Sequence, residues 1–143
     1  MSKTSPPGRV LGLDLGDVRI GVAISDDARR LAVPLGTVRA GAPQDLRAIA
    51  ELVREHGVSL VVVGHPLSLS GRRGEAARRA EAFAEVLRAV LPVPVVLHDE
   101  RLSTVEAERA LRAAGARGAR RRRAVDRSAA TVVLQAYLDA HPA

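Results

Sequence analysis

The sequence predicts an α/β fold, a mixed sheet of about five strands flanked by helices (three antiparallel strands, then two parallel). Three observations carry this. Three β-type apolar runs up to Val38 follow one another with no helical period between them. Two later runs, Val58 to Val63 and Val93 to Leu97, are almost wholly apolar, as in strands buried on both faces. A stretch with apolar residues at helical spacing precedes each of them, which is the signature of parallel crossover units.

The elements follow in order. Arg9 to Gly16 reads as a strand, Asp17 and Val18 as a turn, and Arg19 to Ser25 as a second strand, together a hairpin. Leu31 to Val38 is a third strand, and Pro34 places it at a sheet edge, because proline cannot donate to a ladder. Leu46, Ile49, Ala50 and Val53 mark a helix that stops at His56-Gly57. Ala80, Phe83, Ala84, Leu87 and Leu91 mark a second, ended by Pro92. Ser103-Thr104-Val105-Glu106 has the form of a capping box for a third, with Ala107, Ala110, Leu111 and Ala114 on one face. A last helix, opened by Asp126, carries Ala129, Val132, Val133, Ala136 and Tyr137.

The 143 residues, 47% of them apolar and none of them cysteine, suffice for one core without disulfides. The expected organisation is a flexible tail over 1–8 and a single domain over 9–143. No apolar run approaches the ~20 residues of a membrane span. The start has no signal-peptide character, so no membrane and a cytoplasmic location are expected. The formal charge is +6, and Lys3 is the only lysine. The distribution of arginines is more telling than their number. Arg117, Arg120, Arg121, Arg122, Arg123 and Arg127 crowd one stretch with only Asp126 opposing them, a patch sized for a polyanion.

Three acids stand out. Asp14 sits among Leu11, Leu13 and Leu15, where a lone ionised carboxylate is costly to desolvate; it reads either as a ligand or as a cap for the following turn. Glu100 follows the Val93 to Leu97 run, at the carboxyl end of a strand, where open α/β sheets bind ligands; an ordinary loop charge paired with Arg101 is the alternative. Asp126 precedes the apolar stripe of the last helix and reads as aimed at the sheet or as an N-cap. Together they can meet at one sheet edge beside a basic loop, which suits Mg²⁺ or Mn²⁺ acting on phosphodiesters. Other chemistries find little support. His56, His65, His98 and His141 lack metal-ligand spacing, no Gly-x-Ser-x-Gly elbow is present, and Gly12, Gly16 and Gly21 form no Walker loop or dinucleotide fingerprint. Gly71-Arg72-Arg73-Gly74 before a helix could offer amides to a phosphate but reads better as a plain turn, and Phe83 and Tyr137 are too few for a base-stacking platform.

Leu11-Gly12-Leu13-Asp14-Leu15-Gly16, Arg19 to Asp26, Val62-Val63-Gly64-His65-Pro66-Leu67, Asp99-Glu100-Arg101-Leu102-Ser103-Thr104 and Asp126-Arg127-Ser128-Ala129-Ala130 resemble, in order, the blocks of the YqgF family. Its members are known as Holliday junction resolvases or pre-16S rRNA nucleases. The resemblance implies an RNase H-like fold with the first strand central and the third at an edge. It implies Asp14, Glu100 and Asp126 as catalytic and metal-binding residues of a divalent-metal-dependent nuclease. Two positions depart from the pattern: His65, where an apolar residue is more usual, and Ser70, where Asp-Gly is common before Gly71. In the wider RNase H-like group the second carboxylate usually comes from the strand beside the first, yet Val58 to Val63 contains no acid, so Glu100 must substitute from another strand.

The leading expectation is metal-assisted hydrolysis leaving a 5′-phosphate, in maturation of the 5′ end of pre-16S rRNA, with Arg19, Arg101 and the basic stretch (Arg117, Arg120, Arg121, Arg122, Arg123, Arg127) contacting nucleic acid. Branched DNA is the competing substrate, and the chain is expected as a monomer or homodimer. A non-catalytic nucleic-acid binder and an actin-like or sugar-kinase-like ATPase are rivals of other classes, the latter disfavoured by the single short domain.

Overall fold

A computed structural model of the chain describes residues 8–67, 70, 72–102 and 128–142. Its elements are β1 (Arg9–Leu15), β2 (Arg19–Ser25), β3 (Ala32–Arg39), α1 (Gln44–Glu55), β4 (Val58–His65), α2 (Glu75–Val90), β5 (Val95–Asp99), a 3-10 turn (Glu100–Leu102) and α3 (Ala129–Ala140). The helix expected from Ser103 and the basic run from Arg117 lie outside the described residues.

The strands form one sheet in the order β3-β2-β1-β4-β5. β1 pairs antiparallel with β2, and β2 with β3. β1 pairs parallel with β4, and β4 with β5. This is the mixed sheet read from the sequence, with β1 central and β3 at an edge. Among the described residues no helix is long and apolar enough to cross a membrane.

Local chemistry explains the boundaries. In the β1–β2 turn the Gly16 amide donates to the Arg19 carbonyl at 3.0 Å, and a Cβ on Gly16 would stand 2.6 Å from that oxygen, so the turn requires glycine. α1 gives way at Gly57, whose φ of +62° is left-handed. β5 begins two residues later than expected, because Pro94 has no amide to pair; its carbonyl accepts from the Val61 amide at 3.0 Å instead. At its other end the strand runs on through His98 and Asp99, which pair with Gly64 and His65 of β4. The cap of α3 is Ser128, not Asp126: the Ser128 hydroxyl oxygen accepts from the Thr131 amide at 3.0 Å. Serine and aspartate are comparable caps, so composition alone could not choose between them.

Alternation along the strands divides the core in two. On one face Leu11, Leu13, Ile20, Val22, Val61 and Val63 pack with Ile49 and Val53 of α1 and with Ala80, Ala84 and Leu87 of α2. On the other Val10, Ala23 and Val62 pack against Ala130, Val133, Leu134 and Leu138 of α3. Burying each such Val, Leu or Ile side chain contributes about 1.5–3 kcal/mol. α3 lies close to bare backbone: a Cβ on Gly12 would meet Leu134 Cβ at 2.8 Å and the Ala130 carbonyl at 3.3 Å. His98, buried beside α3, meets Tyr137 edge-on with ring centroids 5.7 Å apart, and Tyr137 stacks on His141 at 4.1 Å.

Because the atoms facing Gly12 belong to the helix backbone and a Cβ, they cannot swing aside. Gly12→Ala is therefore expected to destabilise the fold by about 1–3 kcal/mol. Urea denaturation measures this, and an unchanged midpoint would show that α3 backs away freely.

Candidate functional site

Asp14 stands near the carboxyl end of the central strand. Leu11 and Leu13 face α1 and α2, so Gly12 and Asp14 face α3. The carboxylate is half-buried, and the desolvation pushes its pKa above the ordinary value. Among the described residues no arginine or histidine forms an ion pair with it.

The lack of an acid on β4 has a structural counterpart. Leu13 of β1 pairs with Val63, so the β4 residue in the same row as Asp14 is the next one, Gly64, which in turn pairs with His98. Glu100 comes off the 3-10 turn two residues beyond His98. Its Oε2 lies 2.7 Å from the point where a Gly64 Cβ would be, and Val133 Cγ2 of α3 lies 3.5 Å from the same point. The carboxylate thus fills the volume of the side chain that β4 lacks. Adjacent strands are about 4.8 Å apart, so Asp14 and Glu100 occupy neighbouring positions on one face.

Asp126 lies outside the described residues. The first turn of α3, which follows it in the chain, reaches the same row: Ala130 Cβ is 3.6 Å from the Cβ position of Gly21, the β2 residue that pairs with Asp14. Among the described residues no three metal-ligating side chains cluster.

The basic residues fare differently. Arg19 is exposed at the start of β2 and shares a face with Gly21, hence with Asp14. Arg101 folds back on Asp99: Nη2 donates to Oδ2 at 2.6 Å and Nε to both carboxylate oxygens at 3.1 Å, which with the Arg101 amide holds the Asp99 carboxyl below its usual range. Arg117, Arg120, Arg121, Arg122, Arg123 and Arg127 lie outside the described residues.

Residues 8–140 match the RuvX family, described as Holliday junction resolvase. The chain belongs to the RuvX family. A relative from Anaeromyxobacter dehalogenans (strain 2CP-C) is 51% identical over 132 residues, which cover 92% of this chain and 96% of the relative. One from Mycobacterium leprae (strain TN) is 52% identical over 143 residues, covering 97% and 78%. Both bear the name "Putative pre-16S rRNA nuclease". The solved structure of Thermus thermophilus RuvC in complex with a Holliday junction substrate aligns over 93% of this chain and 94% of that one, with a TM-score of 0.52 and 16% identity. That likeness is one of fold, and the fold is RNase H-like, as the sequence implied.

One group in this RuvX-family chain escaped the sequence reading. His65 Nε2 lies 2.6 Å from Glu81 Oε2 of α2, and Arg73 donates to both oxygens of Glu81, from Nε at 3.0 Å and Nη2 at 2.6 Å. The three groups tie the end of β4, next to Gly64, and the segment before α2 to one carboxylate. Arg73 and His65 lower the Glu81 pKa from 4.5 to about 2. The only sequence signal was the histidine at a usually apolar position. Arg73 precedes the helix, so no helical spacing rule pairs it with Glu81.

Glu100 Oε2 is the end of a flexible side chain, so a methyl on Gly64 displaces the carboxylate at little cost to the fold. Gly64→Ala should lower cleavage on the order of 10²-fold with a nearly unchanged urea midpoint; full activity would show that the position of Glu100 is immaterial. For Glu81, a depressed folded pKa means that its contribution to stability is complete above 4.5 and is lost as pH falls towards about 2. Acid titration of thermal stability should therefore be shallower over that interval in Glu81→Gln, and identical acid limbs would contradict the tie.

Proposed function

We propose that this nuclease cleaves phosphodiester bonds at the 5′ end of the precursor of small-subunit rRNA, with Asp14, Glu100 and Asp126 holding Mg²⁺ or Mn²⁺. The observation that carries the reading is the Glu100 carboxylate lying over Gly64, in the place beside Asp14 where β4 offers no acid. The substrate is argued from the names of relatives about half identical to this chain.

The donor set fits a hard divalent cation. Carboxylate oxygens are the ligands such ions prefer, and a half-buried Asp14 without an ion-pair partner among the described residues gains from nearby positive charge what burial takes away. A divalent ion held by these carboxylates would supply water of lowered pKa and a counter-charge for the phosphate. Asp14 projects from the central strand of the sheet, which is paired on both sides. Gly64 leaves room for Glu100, and Val133 closes that space on the α3 side. Arg19 and the basic stretch Arg117 to Arg127 would track backbone phosphates. Arg101 would join them only by giving up part of its pairing with Asp99.

The family description favours a second reading, junction DNA. Symmetric cutting of a four-way junction calls for a two-fold dimer, whereas rRNA trimming does not. A cleavage panel of junction DNA, linear DNA and precursor rRNA, with each metal, decides between them by which substrate is cut.

Asp14→Asn should reduce cleavage on the order of 10²-fold or more, with nucleic-acid binding retained. Removing a desolvated charge should also raise the thermal midpoint of the metal-free protein at neutral pH. Added Mn²⁺ should raise the midpoint of the wild type but not of Asp14→Asn. Equal metal responses, or undiminished turnover in the variant, would remove Asp14 from the site.

A further inference from the structure

The edge of the sheet that carries Asp14 also carries a feature that a stable fold does not need. Arg19 of β2 and Arg39 of β3 are directly opposite one another in the antiparallel register, at the ends of their strands nearest Asp14. Both are exposed, and among the described residues neither forms an ion pair. Ile20 and Val38, the next pair, face the α1 and α2 side, so the two arginines face the α3 side together with Gly21 and Thr37. Like charges opposite one another across a sheet destabilise it. The described part of α3 starts over the row of Gly21, and the Arg19–Arg39 pair lies one pleat repeat beyond that row, on the side of the helix's amino end.

We infer that Arg19 and Arg39 form a phosphate-binding subsite, gripping a backbone phosphate of the nucleic acid close to the bond cut at Asp14. A shared anion turns the mutual repulsion of the pair into attraction from both sides, and guanidinium groups suit phosphate oxygens bidentately. The offset is right for a flanking phosphate. Arg19 lies one strand step and one pleat repeat from Asp14, on the order of 8 Å, within reach of a phosphate one or two nucleotides along the strand. The positive end of the α3 dipole adds to the field there. The subsite rests on the nucleic-acid reading above and sharpens it: it sets which way the backbone runs across the sheet, from the carboxylates towards β3.

The test is the salt dependence of binding to labelled single-stranded RNA, measured in the Asp14→Asn background so that cleavage does not enter. Arg19→Gln with Arg39→Gln should reduce the log-log slope by about 0.7, the one phosphate that the pair shares, and Arg39→Gln alone by part of that. Arg30→Gln removes the same charge from the β2–β3 connection at the opposite end of the sheet and should leave the slope unchanged. Arg39→Lys, which keeps the charge, should restore it. Thermal midpoints of the glutamine variants at or above the parent value show that the change is not one of folding. A parent-like slope in Arg39→Gln, an equal loss in Arg30→Gln or no rescue by lysine would overturn the subsite. Failure of Asp14→Asn to stop cleavage would instead overturn the assigned nuclease centre and leave these slopes standing.

Discussion

Missing side chains on one face of the sheet govern the molecule. Gly12, Gly21 and Gly64 sit on three adjacent strands, and each faces α3 or the carboxylates beside it. At Gly12 the helix comes so close that a methyl group has no room. At Gly64 the space is taken by a carboxylate from the neighbouring strand. The helix is seated by the first and the acid by the second, so the packing of the second core and the geometry of the site share one cause. Larger residues there would lift α3 away from Asp14 and push Glu100 outward.

The two sides of the same edge have different duties. On the α3 side lie Asp14, Glu100 and the arginine pair of β2 and β3. On the α2 side His65, Arg73 and Glu81 are tied together, while Asp99 and Arg101 neutralise each other at the end of β5. Charge is therefore satisfied internally on the α2 side, while on the α3 side Asp14, Arg19 and Arg39 form no ion pair among the described residues. Arg79 adds a further tie on this braced side, joining α2 to Asp17 in the β1–β2 turn at 2.9 Å.

Most of the fold was legible because the signals were local. Alternation gave the hairpin, continuous apolar runs gave β4 and β5, and Pro34 marked an edge. The errors fell where two local signals compete. Pro94 delays β5 although Val93 looks like strand, and Ser128 takes the cap that Asp126 suits equally well. Asp14 stood out as an acid inside an apolar strand, whereas Glu100 alone read as readily as a loop charge and was marked only by its place at the carboxyl end of a strand. The means by which they share a face was not, because it depends on a β4 residue defined only by what it lacks. Arg39 was invisible for a related reason: its significance lies wholly in a partner across the strand, and pairing register is not written in composition.

The ring packing at His98 gives the protein an optical reporter. Tyr137 is the only tyrosine, Phe83 the only phenylalanine, and there is no tryptophan, so near-ultraviolet absorption and emission come almost wholly from one phenol. That phenol is wedged between the imidazole of His98 on β5 and that of His141 past the end of α3. Its signal therefore registers the seating of the last helix on the sheet. Any ligand or substitution that loosens this junction can be followed through light, without a dye.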